Sequence, residues 1–579
     1  MKKYILILSF LSISQFLFSQ TKPFIKLINP YKTDNEVKAS RQFITGSTCK
    51  TCQVSINKQP VKVYATGAFA YEINLQEGDS AFTISATQEG QTVNRQINFS
   101  YLKIPAPKPV TTLNIESIAT FPEGNLSLQA GDKIQFKVKA LPNCRVTAGK
   151  NIILYEMPLA TTGGMPGIYQ GEYILKESDS FFNYKFPVAL LNKEGKTVTK
   201  ETTNSFSVFT TLISNIAITK GRLAHLEYGL GDDRLGGAKI GYLDSAVLLN
   251  ITGKVGPHFR VRLSKTRTAY IPDDLINFLP KGTFEPASLT NNWRVSGDSV
   301  FDYITIGLFA KLPYQSFQLT NPSKIVVDVF GATNNTNWIT QLETVKEIKN
   351  VQYEQVEDEV FRITIELKHQ QHWGHFIYYQ GNNLVIKIRR QPVNLTLSGL
   401  VIGIDAGHGG SNNGAAGATG VYEKDITLAL ALKLQKSLEA QGAKIIISRT
   451  KETYFDNKER ILFYRDHLPD LLVSLHLNSA NDPFRAGGTS TFYRYIGFRN
   501  LSHSIYKKML ELGLKEYGNN SSFNFMLNSP IEYPNALIET LFLSNVEEEE
   551  KILDENFQQQ MVEKIVMGIK EFLESCKEK

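Results

Sequence analysis

Four side chains in the last third of the chain have the types that a hydrolytic zinc site needs: His408, Glu423, His476 and Glu539. Catalytic zinc commonly takes three protein ligands and leaves the fourth position to water, and two histidines with one carboxylate form an established ligand set. The remaining carboxylate can then act as a general base on that water. Residue type alone does not decide which side chain binds metal and which handles protons.

The positions of these side chains predict that they meet at one edge of a sheet. Three of them follow short apolar runs that read as buried strands: His408 after 401–404, His476 after 471–475 and Glu539 after 536–538. Glu423 comes just before a predicted helix, where negative charge is favoured. Glycines beside His408, in D-A-G-H-G-G, allow a tight turn next to a metal. In open α/β sheets, ligands gather at the carboxyl ends of the strands.

The elements that carry these residues alternate between strand and helix after Leu400. Ile426, Leu430, Leu434 and Leu438 recur every four positions and predict a helix over 424–440 with one apolar face. Further strands are predicted at 401–404, 444–447, 471–475, 489–495 and 536–541, and a further helix at 500–517. This alternation predicts an α/β sheet covered by helices.

Four local sequences, in this order, carry a family resemblance: D-A-G-H-G-G, E-K-D-I-T-L, S-L-H-L-N-S and L-I-E-T-L-F-L-S-N. Together they resemble the catalytic domain of zinc-dependent N-acetylmuramoyl-L-alanine amidases, and the match runs over residues 399–575. The resemblance implies Zn²⁺ as cofactor, His408, Glu423 and His476 as its ligands, and Glu539 as the catalytic glutamate. The implied reaction hydrolyses the amide bond between the lactyl group of N-acetylmuramic acid and L-alanine.

The resemblance also suggests substrate contacts at Arg449 and Asn478. The alternative for Arg449, and for Arg460 in K-E-R, is an ion pair at the end of an element, and Asn478 could instead satisfy a loop backbone. The sequence departs from the family at Ala406, where proline is usual, and at Leu541, where glycine is usual and a larger side chain could narrow the groove. At 517–523 the sequence Y-G-N-N-S-S-F replaces a glycine-bearing segment that the family often has before its last strand. Whether this replaced segment contacts substrate is left open.

The interval from His476 to Glu539 bears on access to the metal. Some relatives insert there a helix that blocks the metal until an activator binds. In this chain the predicted strand 489–495 and helix 500–517 occupy most of the interval. We therefore expect an open groove without self-inhibition.

The N-terminal part has short runs with period two, separated by Gly-, Asn- and Asp-bearing turns, which are typical of β modules. Residues 24–103 resemble an immunoglobulin-like β-sandwich, and a proline-rich linker at 104–110 precedes a second predicted sandwich at 111–213. Residues 215–285 resemble a bacterial SH3-like barrel, for which wall binding and a spacer role both remain open.

Residues 290–392 resemble the AMIN module that precedes cell-wall amidases, which implies targeting to peptidoglycan. His369, His372 and His375 lie in this region at a spacing of three, but no surrounding residues suggest a metal site, so we expect no metal there. The β modules are expected to localise the enzyme, to peptidoglycan or to division or other cell-wall proteins, and to add little to the chemistry.

Composition and the N-terminus predict an exported globular protein. The chain of 579 residues has 42% hydrophobic and 21% charged residues, which suits several separate cores. Residues 1–20 have Lys2 and Lys3 before an apolar run, typical of a signal peptide cleaved near Ser19 and Gln20, with a periplasmic or secreted location. No later run is long enough to predict a membrane span in the mature chain.

The net charge limits the classes of binding partner, and the cysteine content suggests one local cross-link. A formal net charge of +7, spread without a basic block, does not predict nucleic-acid binding. Cys49 and Cys52 predict either a small structural disulfide or a free pair. The expected function is peptidoglycan hydrolysis in wall remodelling or daughter-cell separation, and the alternative is a catalytically inactive wall-binding protein or scaffold.

Overall fold

The structure is a computed structural model that describes residues 22–104, 107–209, 214–231, 236–521 and 524–577. The predicted signal peptide at 1–20 lies outside the described residues, as do Pro105 in the linker and Ser522 and Phe523 in the replaced segment. None of the helices in the described ranges is both long and apolar enough to cross a membrane.

The first β module contains eight strands that form two sheets around one core. The strands are β1 Lys26–Asn29, β2 Asp34–Val37, β3 Arg41–Ser47, β4 Gln53–Ile56, β5 Gln59–Val61, β6 Ala68–Asn74, β7 Gly78–Gln88 and β8 Gln91–Tyr101. The sheet orders are β1-β3-β6 and β2-β8-β7-β4-β5. Cys49 and Cys52 form a disulfide between β3 and β4, so of the two alternatives left open the structure shows the bonded pair.

The second β module contributes nine strands, seven of which form one sheet in the order β16-β15-β12-β13-β14-β11-β9. The strands are β9 Ile115–Phe121, β10 Leu126–Leu128, β11 Lys133–Ala140, β12 Arg145–Ala148, β13 Ile152–Glu156, β14 Ile168–Ile174, β15 Pro187–Leu191, β16 Thr197–Glu201 and β17 Phe206–Val208. Phe136, Val188 and Phe206 lie in its core.

The third β module shares its sheet with the second. Its strands are β18 Ile216–Thr219, β19 His225–Glu227, β20 Lys239–Tyr242, β21 Leu248–Val255, β22 His258–Arg262, β23 Thr268–Pro272 and β24 Ile276–Phe278. β10 of the second module pairs with β21 of the third, and β17 pairs with β10. The boundary expected near residue 214 is therefore bridged by backbone hydrogen bonds, which alternation in the sequence does not reveal.

The fourth β module has two main sheets, β31-β26-β27-β35-β34 and β28-β29-β33-β32, plus the pair β25-β30. Its strands are β25 Ser288–Leu289, β26 Trp293–Gly297, β27 Phe301–Ile306, β28 Tyr314–Thr320, β29 Ser323–Phe330, β30 Ala332–Thr333, β31 Ile339–Gln341, β32 Ile348–Glu357, β33 Val360–Leu367, β34 His375–Gln380 and β35 Asn383–Arg389.

The three histidines of the fourth module have separate partners. The Nδ1 atom of His369 lies 2.7 Å from Glu347 Oε2, while His372 Nε2 lies 2.9 Å from the carbonyl oxygen of Leu319. His375 begins β34, where its Nε2 atom lies 2.9 Å from Ser316 Oγ. Within the described residues, these three rings are not among the side chains whose ligand atoms converge.

The C-terminal domain is an α/β sheet in the order β37-β36-β38-β41-β39-β40. Its strands are β36 Val401–Ala406, β37 Lys444–Ile447, β38 Leu471–Asn478, β39 Thr489–Tyr493, β40 Glu516–Ser521 and β41 Asn535–Phe542. Its helices are α1 Glu423–Glu439, α2 Asn457–His467, α3 Arg499–Leu510, α4 Val546–Ile552 and α5 Glu555–Lys577. All neighbouring strands are parallel except β39 and β41.

Helices cover both faces of this sheet. α1, α3 and α5 bury one apolar face against the strands, while Tyr464 of α2 packs on the other face with Leu472 and Tyr533. The prediction of a helix over 500–517 was wrong at its C-terminal end. α3 stops at Leu510, a turn follows with Gly513 at a φ of +72°, and the chain then enters β40. Glycine permits this left-handed conformation, which ends the helix.

The fourth module docks into the core of the C-terminal domain. Trp373 is 1% exposed, belongs to that domain's hydrophobic core and lies 5.8 Å from the ring of Phe572 in α5. Arg389 forms an ion pair of 2.6 Å with Asp470, and the amide of His375 donates to the carbonyl of Ile531. The two units therefore share buried apolar surface and backbone hydrogen bonds.

Candidate active site and metal centre

His408 stands in a tight turn just after β36. Its φ is +61°, a conformation that side chains other than glycine seldom adopt and that often marks functional sites. Its Nδ1 atom lies 2.9 Å from Asn412 Oδ1, and a proton on Nδ1 would satisfy this contact and leave Nε2 to bind a metal ion. Gly407 permits close approach to the second histidine, because an added Cβ would lie 2.5 Å from His476 Cε1.

Glu423 is the first residue of α1 and is 3% exposed. Its Oε1 atom lies 3.1 Å from His408 Nε2 and 3.0 Å from His476 Nδ1. The backbone amide of Ala415 donates to Oε2 at 2.8 Å, and that of Leu477 donates to Oε1 at 2.9 Å. Burial by itself raises the pKa of Glu423, but the hydrogen bonds from the two histidines outweigh it and hold that pKa well below its usual range.

His476 and Glu539 are neighbours across parallel strands. β38 and β41 pair so that these two residues are opposite each other in the register. Burial lowers the pKa of His476, but the hydrogen bond to Glu423 and the charges of Glu423 and Glu539 outweigh it, so the pKa is raised overall. Glu539 is 9% exposed and lines the cleft, and it is not one of the three side chains whose ligand atoms converge.

The three converging side chains fit a zinc ion. One nitrogen each from His408 and His476 and one oxygen of Glu423 all lie within 4.8 Å of one another. Two imidazoles and a carboxylate are donors that zinc prefers, and both rings are partly exposed to the cleft. The cleft has a volume of about 850 Å³, and Asn478 and Glu539 are among the residues that line it. The three converging side chains are therefore part of the cleft lining.

The segment between His476 and Glu539 places its helix away from the metal position. α3 packs against α5 and against β39 and β41, on the side of the sheet that α1 also covers. Phe525, Met526 and Leu527 line the cleft. Among the described residues from 496 to 535, none is one of the three side chains whose ligand atoms converge, and the open groove stays a prediction.

The two arginines lie beneath the turn that carries His408. Arg449 is 3% exposed, does not line the cleft and donates to the carbonyl oxygens of Ala406, Gly407 and Lys424. Its Nη1 atom also lies 3.5 Å from Glu452 Oε2, an ion pair of the kind that the alternative for Arg449 describes. Arg460 Nη1 forms a buried ion pair of 2.7 Å with Asp405, and Arg460 also donates to the carbonyl oxygen of His408.

The side chain of Leu541 does not narrow the cleft. It is 0% exposed and belongs to the core between the sheet and the helices α1, α3 and α5. The register of β38 and β41 shifts between His476 and Asn478, next to this position. Leu541, which stands where the family usually has glycine, therefore packs in the core and adds no bulk to the cleft.

Sequence reasoning missed three contributors to the site. Asn412 contacts the Nδ1 atom of His408, and the hydrophobic turn 525–527 forms part of the cleft wall. Glu549 of α4 accepts hydrogen bonds from the loop before Glu423. Asn412 follows the G-H-G-G turn directly and could have been suspected, whereas Glu549 lies in a run of glutamates that gives no signal of burial.

The fold and the site together define an α/β domain with a two-histidine, one-glutamate cluster at the carboxyl edge of its sheet. Comparisons with known proteins agree. The family model described as N-acetylmuramoyl-L-alanine amidase matches residues 402–571, and that of the AMIN domain matches 291–392.

Individual relatives match part of the chain. The uncharacterized protein YqiI of Bacillus subtilis is 33% identical over 30% of this chain and 84% of its own length. The N-acetylmuramoyl-L-alanine amidase AmiC of Neisseria meningitidis is 23% identical over 48% of this chain and 89% of its own. A solved N-acetylmuramoyl-L-alanine amidase of Clostridium difficile is 33% identical over 30% of this chain and 97% of that chain, with a TM-score of 0.29.

The chain belongs to the N-acetylmuramoyl-L-alanine amidase family, carries an AMIN domain and is an amidase of peptidoglycan.

Proposed function

We propose that the chain binds Zn²⁺ through His408, Glu423 and His476 and hydrolyses the amide bond between the lactyl group of N-acetylmuramic acid and L-alanine. The observation that carries this proposal is the convergence of three ligand atoms within 4.8 Å at the floor of an open cleft. Catalytic zinc commonly takes three protein ligands and a water, so these two nitrogens and one oxygen would suffice to hold it.

The roles of the protein groups follow from their positions. A zinc ion held by His408, Glu423 and His476 would supply the Lewis acidity that activates water and polarises the scissile carbonyl. Glu539, next to His476 in the register, takes the proton of the attacking water and later delivers it to the leaving nitrogen of L-alanine. Asn412 holds the His408 ring, and the amides of Ala415 and Leu477 hold the Glu423 carboxylate. Asn478, which lines the cleft, is proposed to contact substrate.

We also propose domain bounds and roles for the remaining chain. Residues 24–103 and 111–213 are β-sandwiches, 215–285 form an SH3-like barrel, 290–392 form the AMIN module and 399–575 form the catalytic domain. The AMIN module recruits the enzyme to peptidoglycan, and the protein acts in the periplasm or after secretion, following cleavage near Ser19 and Gln20. The biological role is wall remodelling or daughter-cell separation.

Digestion of purified cell wall tests the reaction. The full-length enzyme with zinc is expected to release free stem peptides that begin with L-alanine, which N-terminal labelling and mass spectrometry detect. Removal of zinc by a chelator should stop release, and addition of zinc should restore it. New reducing sugar ends without free L-alanine termini would show a glycosidase instead. Binding of wall without any release would support the inactive scaffold and contradict the proposal.

A further inference from the structure

The first β module lies against the catalytic domain, and contacts between them join residues as far apart in sequence as Lys26 and Thr419. β6 of this module is buried on both faces: Phe69 and Ile73 point into the module's own core, while Ala68 and Ala70 point out of it. Tyr64, Ala68 and Ala70 form a separate buried cluster with Ala418 and Val546 of the catalytic domain. Small side chains on an outward face let two backbones approach closely.

The segment that this module covers leads directly to Glu423. We name residues 413–422 the ligand loop. Lys26 Nζ of the first module donates to the carbonyl oxygen of Thr419 at 3.2 Å, and Ser47 Oγ donates to the same oxygen at 3.5 Å. At Gly420 an added Cβ would lie 3.1 Å from Ile28 Cδ1. The module therefore contacts the turn of the loop through polar and apolar groups.

Glu549 of α4 holds the same turn from inside the catalytic domain. The amides of Ala418 and Thr419 donate to its carboxylate at 3.0 and 2.9 Å, and Thr419 Oγ1 donates at 2.5 Å. Glu549 is 0% exposed, and burial raises its pKa although these donors act against that effect. An added Cβ on Gly417 would lie 2.2 Å from Glu549 Oε1, so the loop fits closely over the carboxylate.

The turn is connected to the Glu423 side chain by short backbone hydrogen bonds. The amides of Gly417 and Gly420 close the turn by donating to the carbonyls of Val421 and Gly417. Ala415 then donates its amide to Glu423 Oε2 and accepts the Glu423 amide at its carbonyl, each at 2.8 Å. A displacement of the turn thus shifts the group that holds the carboxylate.

The first module also contacts the opposite rim of the cleft. Arg41 pairs with Asp482 at 2.6 Å, and the rings of Phe43 and Phe484 are 6.2 Å apart. Asp482 lies three residues after Ser479, which lines the cleft. The module therefore bridges the two loops that flank the metal position.

We propose that the first β module and Glu549 act together as a clamp on the ligand loop and so position Glu423 for the metal. Tyr64, Ala70 and Glu549 are positioning residues in this scheme, since they touch neither substrate nor metal. The inference rests on the proposed role of Glu423 as a ligand. It assigns to a module at the N-terminus a direct effect on the metal centre, in addition to any role in localisation.

Two substitutions test the clamp in the full-length zinc protein. Ala70→Arg places a long charged side chain in the buried cluster without entering the module's own core, and Glu549→Gln replaces an acceptor of three donors by an amide. Ala81→Arg is the matched control, because Ala81 is exposed in β7 of the same module. The measurements are the rate of zinc transfer to a chromophoric chelator and hydrogen exchange at the amides of the ligand loop.

Residues that orient a ligand typically change metal affinity by about 10- to 100-fold, so we expect zinc transfer at least about tenfold faster in both variants. Ligand-loop amides should exchange faster, and Ala81→Arg should match the wild type in both measurements. Zinc transfer within twofold of wild type in both folded variants would overturn the clamp. If Ala70→Arg does not fold, the zinc transfer rate of Glu549→Gln alone tests the clamp, and a rate within twofold of wild type would overturn it.

A parallel measurement on Glu423→Gln separates the two proposals. If Glu423→Gln loses zinc while Ala70→Arg and Glu549→Gln retain it, the ligand assignment stands and the clamp is wrong. If Glu423→Gln retains zinc as tightly as wild type, the ligand assignment itself is wrong, and the clamp falls with it.

Discussion

Glu539→Gln separates catalysis from metal binding. The amide has nearly the shape of the carboxylate, and Glu539 is not among the three side chains that converge on the metal position, so fold and zinc content should stay unchanged. The substitution removes the group proposed to take the proton of water and to return it to the leaving amine. General acid–base groups contribute about 10²- to 10⁴-fold in rate, which corresponds to about 2.7–5.4 kcal/mol of transition-state stabilisation.

Glu423→Gln is the matched comparison, because it makes the same chemical change at a buried position. Both oxygens of Glu423 accept backbone amides, from Ala415 and Leu477, and a glutamine has only one oxygen to offer them. A buried donor left without its partner costs about 1–3 kcal/mol, and a neutral amide is also a poorer zinc ligand than a carboxylate. This variant should lose zinc and activity together.

The assay combines zinc stoichiometry with turnover of a soluble muropeptide, followed by the appearance of L-alanine termini. We expect Glu539→Gln to carry one zinc per chain with turnover reduced at least about 100-fold. A Glu539→Gln protein without zinc, or with near-normal turnover, would refute the division of roles between the two glutamates.

Three further predictions concern the interfaces between modules. Trp373→Ala should lower the free energy of unfolding by about 3–5 kcal/mol in urea titrations. Trp338 is 63% exposed, so Trp338→Ala should change that free energy little. Equal effects of the two substitutions would contradict the docking of Trp373. A fragment of residues 396–579 lacks Trp373 and Arg389, so it should unfold at lower urea than a fragment of 290–579, and equal midpoints would show that docking adds no stability. Burial lowers the pKa of His372 to about 4 and of His375 to about 3, below the value of 6.5 for a free ring. Because the unfolded state binds the extra protons, stability should be full above about pH 6.5 and fall as pH decreases toward these values, and His375→Gln should reduce that slope. An unchanged slope would count against a buried neutral His375.

Much of the catalytic domain follows from local sequence. Apolar runs of four to six residues placed β36, β38 and β41, and the four-residue spacing of leucines placed α1 to within one residue of its start. The predicted end of α3 was wrong because Leu512 and Leu514 continue a helical apolar pattern in the sequence. In the structure the chain turns at Gly513 and enters the edge strand β40. Tertiary pairing of β40 with β39 outweighed that local pattern.

No sequence pattern predicted the contacts between modules. Trp373 lies in a polar stretch beside two histidines, yet it enters the core of another domain. Ala68 and Ala70 are small residues within an ordinary strand pattern, and only the structure shows that they face the ligand loop. The expectation that the β modules add little to chemistry came from residue numbers alone, since all four site residues follow position 400.

The sequence by itself predicted which side chains come together, because parallel strands bring their carboxyl ends to one edge of the sheet, and His408, His476 and Glu539 stand at or near such ends while Glu423 begins a helix. It also indicated a β-rich N-terminal half, since alternation with period two is a local property. Only the tertiary structure decided that the loop before Glu423 lies between Glu549 and a module hundreds of residues earlier, and that Arg449 contacts the backbone of a turn instead of lining the cleft. Those outcomes depend on which surfaces pack together, and such packing joins residues that no local pattern links.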